Sequence, residues 1–315
     1  MRLQRLAALA AMTLGLVACV GAPPAPGDGT AIPRRSWVPD SSPRAVILAT
    51  HGFNDYSNAF AEFGAFAAER GVVVHAYDQS GFGANPNAGW WPGTPALVTA
   101  LREERDRVAA RYPDAPIYLL GESMGAAVIM AAAAEGEPID AAGTILSAPA
   151  VWGGDQLNPF YRATLWLAVR LMPGLKLTGR GLKIKPSDNI DMLRALGADP
   201  LVIKGTRVDA VAGLVELMDV AYTAADTVPA PLLVLGGARN EIVPPGAHLA
   251  MLERVSARPC TEIIYPDGYH MLLRDMQRRL VWRDILAWID GETAPSALAQ
   301  ACRGPEVKPV VASLE

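Results

Sequence analysis

The pentapeptide at residues 121–125, Gly-Glu-Ser-Met-Gly, constrains the fold of this chain more than any other feature. The apolar run at residues 116–120 lies directly before it, and its length and its Pro and Gly boundaries predict a buried strand. Residues 126–134 lie directly after it and are mostly good helix formers. The sequence therefore predicts a strand, a sharp turn with Ser123 at its tip, and a helix, with glycines where strand and helix approach each other.

A Gly-x-Ser-x-Gly turn between a strand and a helix is typical of the nucleophile elbow of the α/β-hydrolase fold. A serine hydroxyl is a poor nucleophile at neutral pH, so it needs a base, a group that orients the base, and donors for the developing oxyanion. In this fold the order along the chain is Ser, acid, His. Ser123 is the predicted nucleophile; a Gly-Ser turn without chemistry is the alternative, which the strand and the helix disfavour.

The amino-terminal residues resemble a bacterial lipoprotein signal. Arg2 and Arg5 precede an apolar segment that is too short to span a bilayer comfortably, and the segment ends in Leu-Val-Ala before Cys19. We expect residues 1–18 to be removed and Cys19 to be acylated, with a plain secretory signal as the alternative. The residue after Cys19 is Val20 and not Asp, so the expected location is the outer membrane, facing the periplasm. Residues 19–31 form a Pro/Gly-rich tether.

The expected export affects whether the two remaining cysteines can form a disulfide. Cys260 and Cys302 form an even pair in a compartment that permits disulfides. A disulfide between them and two free thiols both remain open at this point.

Composition excludes several classes of function. Of the 315 residues 51% are hydrophobic and 19% are charged, with a formal net charge of -4, which argues against disorder and against a nucleic-acid partner. The sequence contains no Cys/His ligand cluster and no phosphate-binding loop, so we expect neither a metal nor a nucleotide cofactor. The oligomeric state stays open.

Strand and helix patterns alternate through residues 32–149, break over 150–228 and resume over 229–292, before a tail at 293–315. This alternation predicts an α/β fold with a mostly parallel central sheet flanked by helices, and the break predicts a helical cap. The cap contains an apolar run at 160–172 with only Arg162 and Arg170 charged. A helix that is apolar nearly all round needs a second apolar partner, such as an acyl chain or a membrane surface.

Chain order assigns the base and the oxyanion donors. His270 follows the last predicted strand and precedes the last helix, which is where the fold places its histidine. The oxyanion hole is expected from the backbone N–H groups of Met124 and Phe53. His51 is interpreted as a residue that braces its loop, and the remaining histidines, His75 and His248, as structural.

These motifs together resemble the monoacylglycerol lipase and lysophospholipase group of α/β-hydrolases, which is related to serine aminopeptidase-like hydrolases. The matching stretches are 51–57 (His-Gly-Phe-Asn-Asp-Tyr-Ser), 78–83 (Asp-Gln-Ser-Gly-Phe-Gly), 121–125, 240–244 (Asn-Glu-Ile-Val-Pro) and 268–272 (Gly-Tyr-His-Met-Leu). The resemblance implies a serine hydrolase that cleaves single-chain lipid esters through an acyl-enzyme. A non-catalytic lipid-binding lipoprotein, or an acyltransferase or peptidase on the same fold, is the alternative.

The acid departs from the family pattern. The family's Asp, counted back from Val-Pro, falls on Asn240, which cannot stabilise an imidazolium by charge. Glu241 is a neighbouring carboxylate, Asn240 can itself orient the histidine neutrally, and Asp155 or Asp267 can supply an acid from elsewhere. The favoured prediction places Asn240 in the acid position with Glu241 as the carboxylate.

Overall fold

The computed structural model describes residues 32–304, except 135, 137, 138, 153–156, 180 and 182. The predicted signal peptide, Cys19, the tether and Asp155 lie outside the described residues.

An eight-stranded sheet forms the centre of the molecule, in the order β1-β3-β2-β4-β5-β8-β9-β10. Strands β2 to β9 of this sheet are parallel, whereas β1 and β10 pair antiparallel at its two edges. The mostly parallel sheet predicted from the alternating pattern is confirmed. The strands are β1 (Arg34–Trp37), β2 (Ala45–Thr50), β3 (Val72–Tyr77), β4 (Ile117–Glu122), β5 (Gly143–Ser147), β8 (Leu232–Gly237), β9 (Cys260–Tyr265) and β10 (Ala299–Ala301), and β6 (Lys176–Thr178) pairs with β7 (Gly205–Arg207) in a separate ribbon.

Helices cover both faces of the sheet. Along β2, Val46 and Leu48 enter one apolar cluster and Ile47 and Ala49 enter the other, so the central strand is buried on both sides as parallel strands are. The helices are α1 (Ala61–Ala68), α2 (Thr94–Arg111), α3 (Met124–Ala134), α4 (Pro159–Leu171), α5 (Ile190–Ala198), α6 (Val208–Thr223), α7 (Pro245–Arg254) and α8 (Arg278–Ile289).

The two edge strands were not predicted. Each is short, and its side chains are mostly exposed, so neither shows the apolar signal of a buried strand. Cys302 follows β10 and forms a disulfide with Cys260 at the start of β9, with a Cα–Cα distance of 5.4 Å. The Cys302 N–H also donates to the Cys260 carbonyl at 3.1 Å. The disulfide therefore holds the carboxyl-terminal edge strand beside β9.

The cap has two parts with different surroundings. Helix α6 packs on the elbow helix α3 and buries Leu217 and Ala221, so this part of the insertion belongs to the core layer. Helix α4 buries none of its residues and exposes large apolar side chains, including Phe160 and Trp166. Along the described part of the chain, no helix is both long and apolar enough to cross a membrane.

Candidate active site

Ser123 sits at the junction between β4 and α3 with a strained backbone. Its φ is 53°, a left-handed value that only a tight turn imposes on a non-glycine residue. A Cβ added at Gly121 would come within 2.4 Å of the Ala126 backbone, and one added at Gly125 within 2.1 Å of the Thr50 carbonyl oxygen. Both glycines of the motif are therefore required by close backbone approach.

His270 lies within hydrogen-bonding distance of Ser123. The distance from His270 Nε2 to Ser123 Oγ is 2.8 Å, and the imidazole is buried in the loop between β9 and α8. Burial, aided by the positive charge of Arg274, lowers the pKa of His270 to about 4. The ring is therefore neutral at neutral pH and can accept the serine proton.

The loop after β2 lies against the nucleophile. A Cβ built on Gly52 would be 3.5 Å from Ser123 Cβ, and Phe53, the next residue, lines the same cavity as Ser123. Met124 begins α3, so its N–H belongs to the first turn, where no intrahelical acceptor exists. The two predicted oxyanion donors thus belong to backbone segments that flank Ser123.

His51 braces this loop, as interpreted from the sequence. Its Nε2 accepts a hydrogen bond from Gln79 N at 2.9 Å, which places the ring proton on Nδ1, where it donates to Gly52 O at 2.8 Å. Burial lowers the pKa of His51, so the ring stays neutral.

Neither of the two favoured acid candidates makes a hydrogen bond to His270 Nδ1 in the described part of the chain. Asn240 Oδ1 accepts hydrogen bonds from the N–H groups of Ile242 at 3.0 Å and Val243 at 3.1 Å, so the side chain caps its own turn. Glu241 points towards the cap and accepts the N–H of Lys185 at 2.8 Å. Local backbone donors therefore occupy one oxygen of each side chain, and the assignment of Asn240 and Glu241 to the acid position stays a prediction.

Of the other two acid candidates, Asp267 lies on the surface and Asp155 stays untested. Asp267 pairs with Arg239 at 2.5 Å on the surface, and Asp155 lies outside the described residues. His270 Nδ1 has no hydrogen-bond partner among the residues that the structure describes. In the described site Ser123 and His270 therefore form a dyad, and no hydrogen bond at Nδ1 selects the tautomer of the imidazole.

A buried charged cluster beside the dyad was missed by the sequence reasoning. Arg274 Nη2 lies 2.7 Å from Asp55 Oδ2 and 3.1 Å from Glu122 Oε2. Burial raises the pKa of Glu122, against the opposing charge of Arg274. Burial also opposes the charge of Arg274, but the two carboxylates outweigh it and raise the pKa of the guanidinium. The only sequence signal was a charged residue inside the motif, Glu122, next to the nucleophile.

Ser123 and His270 open onto a cavity of about 480 Å³. The charged cluster contributes to its lining, and so do apolar side chains of α5 and α6. Those side chains are Leu193, Leu196, Val211, Leu214, Val215 and Met218. The apolar run at 160–172 was the predicted site of acyl contact, but the described part of this cavity contains no side chain of α4.

Helix α4 instead lines a neighbouring cavity of about 520 Å³. The two cavities share Trp152, Val211 and Val215, so they adjoin along one face of α6. No group of His, Cys, Asp and Glu in the described residues is arranged to hold a metal ion.

Comparison with known proteins identifies the family. Residues 41–277 match the serine aminopeptidase S33 family, Hydrolase_4. The chain belongs to this family. The resemblance to serine aminopeptidase-like hydrolases is therefore confirmed. S33 membership, together with the similarity to monoacylglycerol lipases, makes the chain a serine ester hydrolase.

Individual relatives of this S33 chain carry lipase names. It is 27% identical to the monoacylglycerol lipase of Mycolicibacterium smegmatis over 80% of this chain and 90% of the relative. It is 25% identical to the monoglyceride lipase of Homo sapiens over 86% of this chain and 91% of the relative. The crystal structure of Paleococcus ferrophilus monoacylglycerol lipase superimposes with a TM-score of 0.70 at 22% identity, covering 84% of this chain and 100% of that structure, which supports the fold.

Proposed function

We propose that this serine ester hydrolase cleaves carboxylic esters of single-chain lipids, such as a monoacylglycerol or a lysophospholipid. The observation that carries the proposal is the 2.8 Å contact between Ser123 Oγ and His270 Nε2 in the lining of a largely apolar cavity. The lipase names of the relatives that match this chain over most of its length support the substrate class.

The reaction proceeds in two halves. Ser123 Oγ attacks the ester carbonyl carbon while His270 Nε2 takes the hydroxyl proton, and the oxyanion is held by the N–H groups of Phe53 and Met124. The ester C–O bond then breaks, and His270 returns the proton to the leaving alcohol oxygen. In the second half water attacks the acyl carbon while His270 takes its proton, and the bond from that carbon to Ser123 Oγ then breaks. Ser123 regains the proton from His270, and the fatty acid leaves.

The cavity suits an elongated acyl chain. Its apolar wall continues past Trp152 and Val215 into the cavity lined by α4, so a chain bound at Ser123 has a second apolar region to enter. The charged cluster of Asp55, Glu122 and Arg274 lies in another part of the Ser123 cavity and suits the hydroxyl-bearing part of the substrate.

One experiment distinguishes lipid ester hydrolysis from acyltransferase and peptidase activity. Purified protein is incubated with a micellar monoacylglycerol, with a short-chain nitrophenyl ester, and with a peptide amide, and the products are separated. Release of free fatty acid from the micellar ester that vanishes in Ser123→Ala supports the proposal. Ready cleavage of the short ester with no micellar cleavage contradicts it, as does transfer of the acyl group to an added alcohol in preference to water.

The proposed location is a bacterial outer membrane, reached by acylation of Cys19. The lipobox-like residues before Cys19 support the anchor, and the cap supports contact with a membrane. Every charged residue between Gln156 and Ser187 is basic, in a chain of formal charge -4. In the same segment α4 exposes Phe160 at 72%, Trp166 at 58% and Leu171 at 67%. An apolar and basic surface suits an anionic lipid leaflet.

Fractionation tests the location. Cys19→Ser is expected to move the protein from the outer-membrane fraction to the soluble periplasmic fraction, whereas Cys302→Ser, which keeps the signal, leaves it in the membrane. A Cys19→Ser protein that stays in the outer membrane contradicts the anchor.

A further inference from the structure

The loop that carries His270 must place the imidazole without help from the family's acid position. Among the described residues, Nδ1 of His270 has no hydrogen-bond partner, and Asn240 is committed to its own turn. The ring position therefore depends on what holds the backbone on either side of His270.

A segment of the cap at residues 185–189, here named the cap strap, lies across this loop. The carbonyl oxygen of Pro186 accepts the N–H groups of both His270 and Met271, each at 3.1 Å. These bonds attach the backbone of the base itself to the cap, although the two segments are far apart in sequence.

A buried carboxylate continues the attachment on the amino-terminal side of His270. Ser187, which is fully buried, donates its hydroxyl to Asp275 Oδ1 at 2.6 Å. Asp275 Oδ2 accepts the N–H of Tyr269 at 2.7 Å. One carboxylate thus joins the cap strap to the residue that precedes the base.

Further bonds attach the other parts of the cap strap. Asn189 Nδ2 donates to the Arg274 carbonyl oxygen at 2.9 Å, and Asp188 Oδ1 accepts the N–H of Met276 at 2.8 Å. Asn189 Oδ1 also accepts the N–H of Met192 at 3.2 Å and caps α5. Since α5 lines the substrate cavity with Leu193 and Leu196, the cap strap connects the cavity wall to the loop of the base.

We propose that the cap strap positions the catalytic base of this enzyme, with Ser187 and Asp275 as positioning residues that act through the backbone of Tyr269 and His270. The inference rests on the proposed function, because it takes His270 as the base. A displacement of about 1 Å in a reacting group can cost on the order of 100-fold in rate, so loosening this loop has a measurable effect. The cap strap is then the part of the cap whose attachment aligns the base.

The test compares kcat and KM on a short nitrophenyl ester. Ser187→Ala is expected to lower kcat about tenfold and to leave KM within about twofold, because proton transfer depends on the position of the imidazole more steeply than binding of a short ester does. Asp275→Asn is expected to lower kcat likewise. Adding Ser187→Ala to Asp275→Asn should cost little more than Asp275→Asn alone, because both changes remove the same bridge.

Tyr56→Phe is the matched control. It removes another hydrogen bond from the cap to the core, from the Tyr56 hydroxyl to Asp199 at 2.7 Å, without touching the loop of His270. Its kcat is expected to equal that of the wild type. If Ser187→Ala does not fold, Asn189→Ser replaces it, because serine can still cap α5 while the donor to Arg274 O is lost.

Two patterns of failure are distinguishable. Hydrolysis that persists in Ser123→Ala or His270→Ala overturns the proposed function. Loss of hydrolysis in those variants, combined with wild-type kcat in folded Ser187→Ala and Asp275→Asn, overturns the positioning role alone. A loss confined to the melting temperature, with kcat per folded molecule unchanged, also overturns it.

Discussion

Val243 donates its backbone N–H to Asn240 Oδ1 across 3.1 Å, and this bond keeps the Asn240 side chain within its own turn. The same oxygen accepts the N–H of Ile242. An aspartate at this position would keep both bonds with one oxygen and present a second carboxylate oxygen where asparagine has its amide nitrogen.

Asn240→Asp is therefore expected to fold normally and to raise kcat by about tenfold or more, because a carboxylate stabilises the imidazolium that forms as Ser123 attacks. The measurement is kcat on a nitrophenyl ester, together with the rate of labelling by a fluorophosphonate. Asn240→Ser, which keeps a turn-capping oxygen without charge, should show no gain. An unchanged kcat in Asn240→Asp would mean that this position does not reach the base.

Glu241→Gln is expected to leave kcat within about twofold of wild type, because Glu241 accepts the Lys185 N–H and a glutamine oxygen can do the same. The comparison is made on the same ester at the same pH. A loss on the order of 1,000-fold would instead name Glu241 as the acid.

The acid limb of the pH–rate profile should lie unusually low. His270 must be neutral to act as a base, and its pKa is lowered to about 4 by burial and the charge of Arg274. In Asp275→Asn, which removes the other titrating group of this loop, we expect kcat/KM to stay level as the pH falls to about 5 and to decline through about 4. A limb near the ordinary histidine pKa in that variant would contradict the assignment.

A second decline in the pH–rate profile of the wild type is expected from Asp275. Burial raises the pKa of Asp275 to about 6, so a step near that pH that disappears in Asp275→Asn belongs to the cap strap and not to His270.

Arg274→Met is expected to destabilise the fold by about 3–5 kcal/mol at pH 7, because it leaves Asp55 and Glu122 buried without their cation. The pKa of Glu122 is already raised by burial, so the carboxyl binds a proton more readily in the folded state than in the unfolded state. The deficit is therefore greatest at high pH and shrinks as acid protonates the carboxyl.

Urea unfolding at two pH values measures this deficit. Arg278→Met is the control, since Arg278 pairs with the half-exposed Glu62 and its loss should cost under about 1 kcal/mol. Equal decreases in the free energy of unfolding in the two variants would show that the buried cluster contributes no more to stability than the exposed ion pair does.

Cys302→Ser is expected to lower the free energy of unfolding by about 2–4 kcal/mol, because the disulfide to Cys260 closes a loop with a sequence separation of 42. Reduction of the wild type should reproduce the loss, and Cys260→Ser/Cys302→Ser should match the single variant. A reductant-insensitive wild type would contradict this expectation.

Local patterns in the sequence determined the fold class and the position of the nucleophile. The strand, turn and helix around Ser123 are encoded within about 20 consecutive residues, and their order relative to His270 follows from the topology of a parallel sheet. The edge strands at Arg34–Trp37 and Ala299–Ala301 were not predicted from the sequence, because their side chains are too exposed to show an apolar pattern.

Only the tertiary structure decided what surrounds the dyad. The candidates for the acid all lie in loops. A loop side chain bonds to the backbone donors that folding brings near it, as Asn240 and Glu241 do. The bond from Arg274 to Glu122 spans 152 positions, and that from Ser187 to Asp275 spans 88. No local periodicity encodes such pairs, because they exist only once folding brings the cap and the sheet edge together.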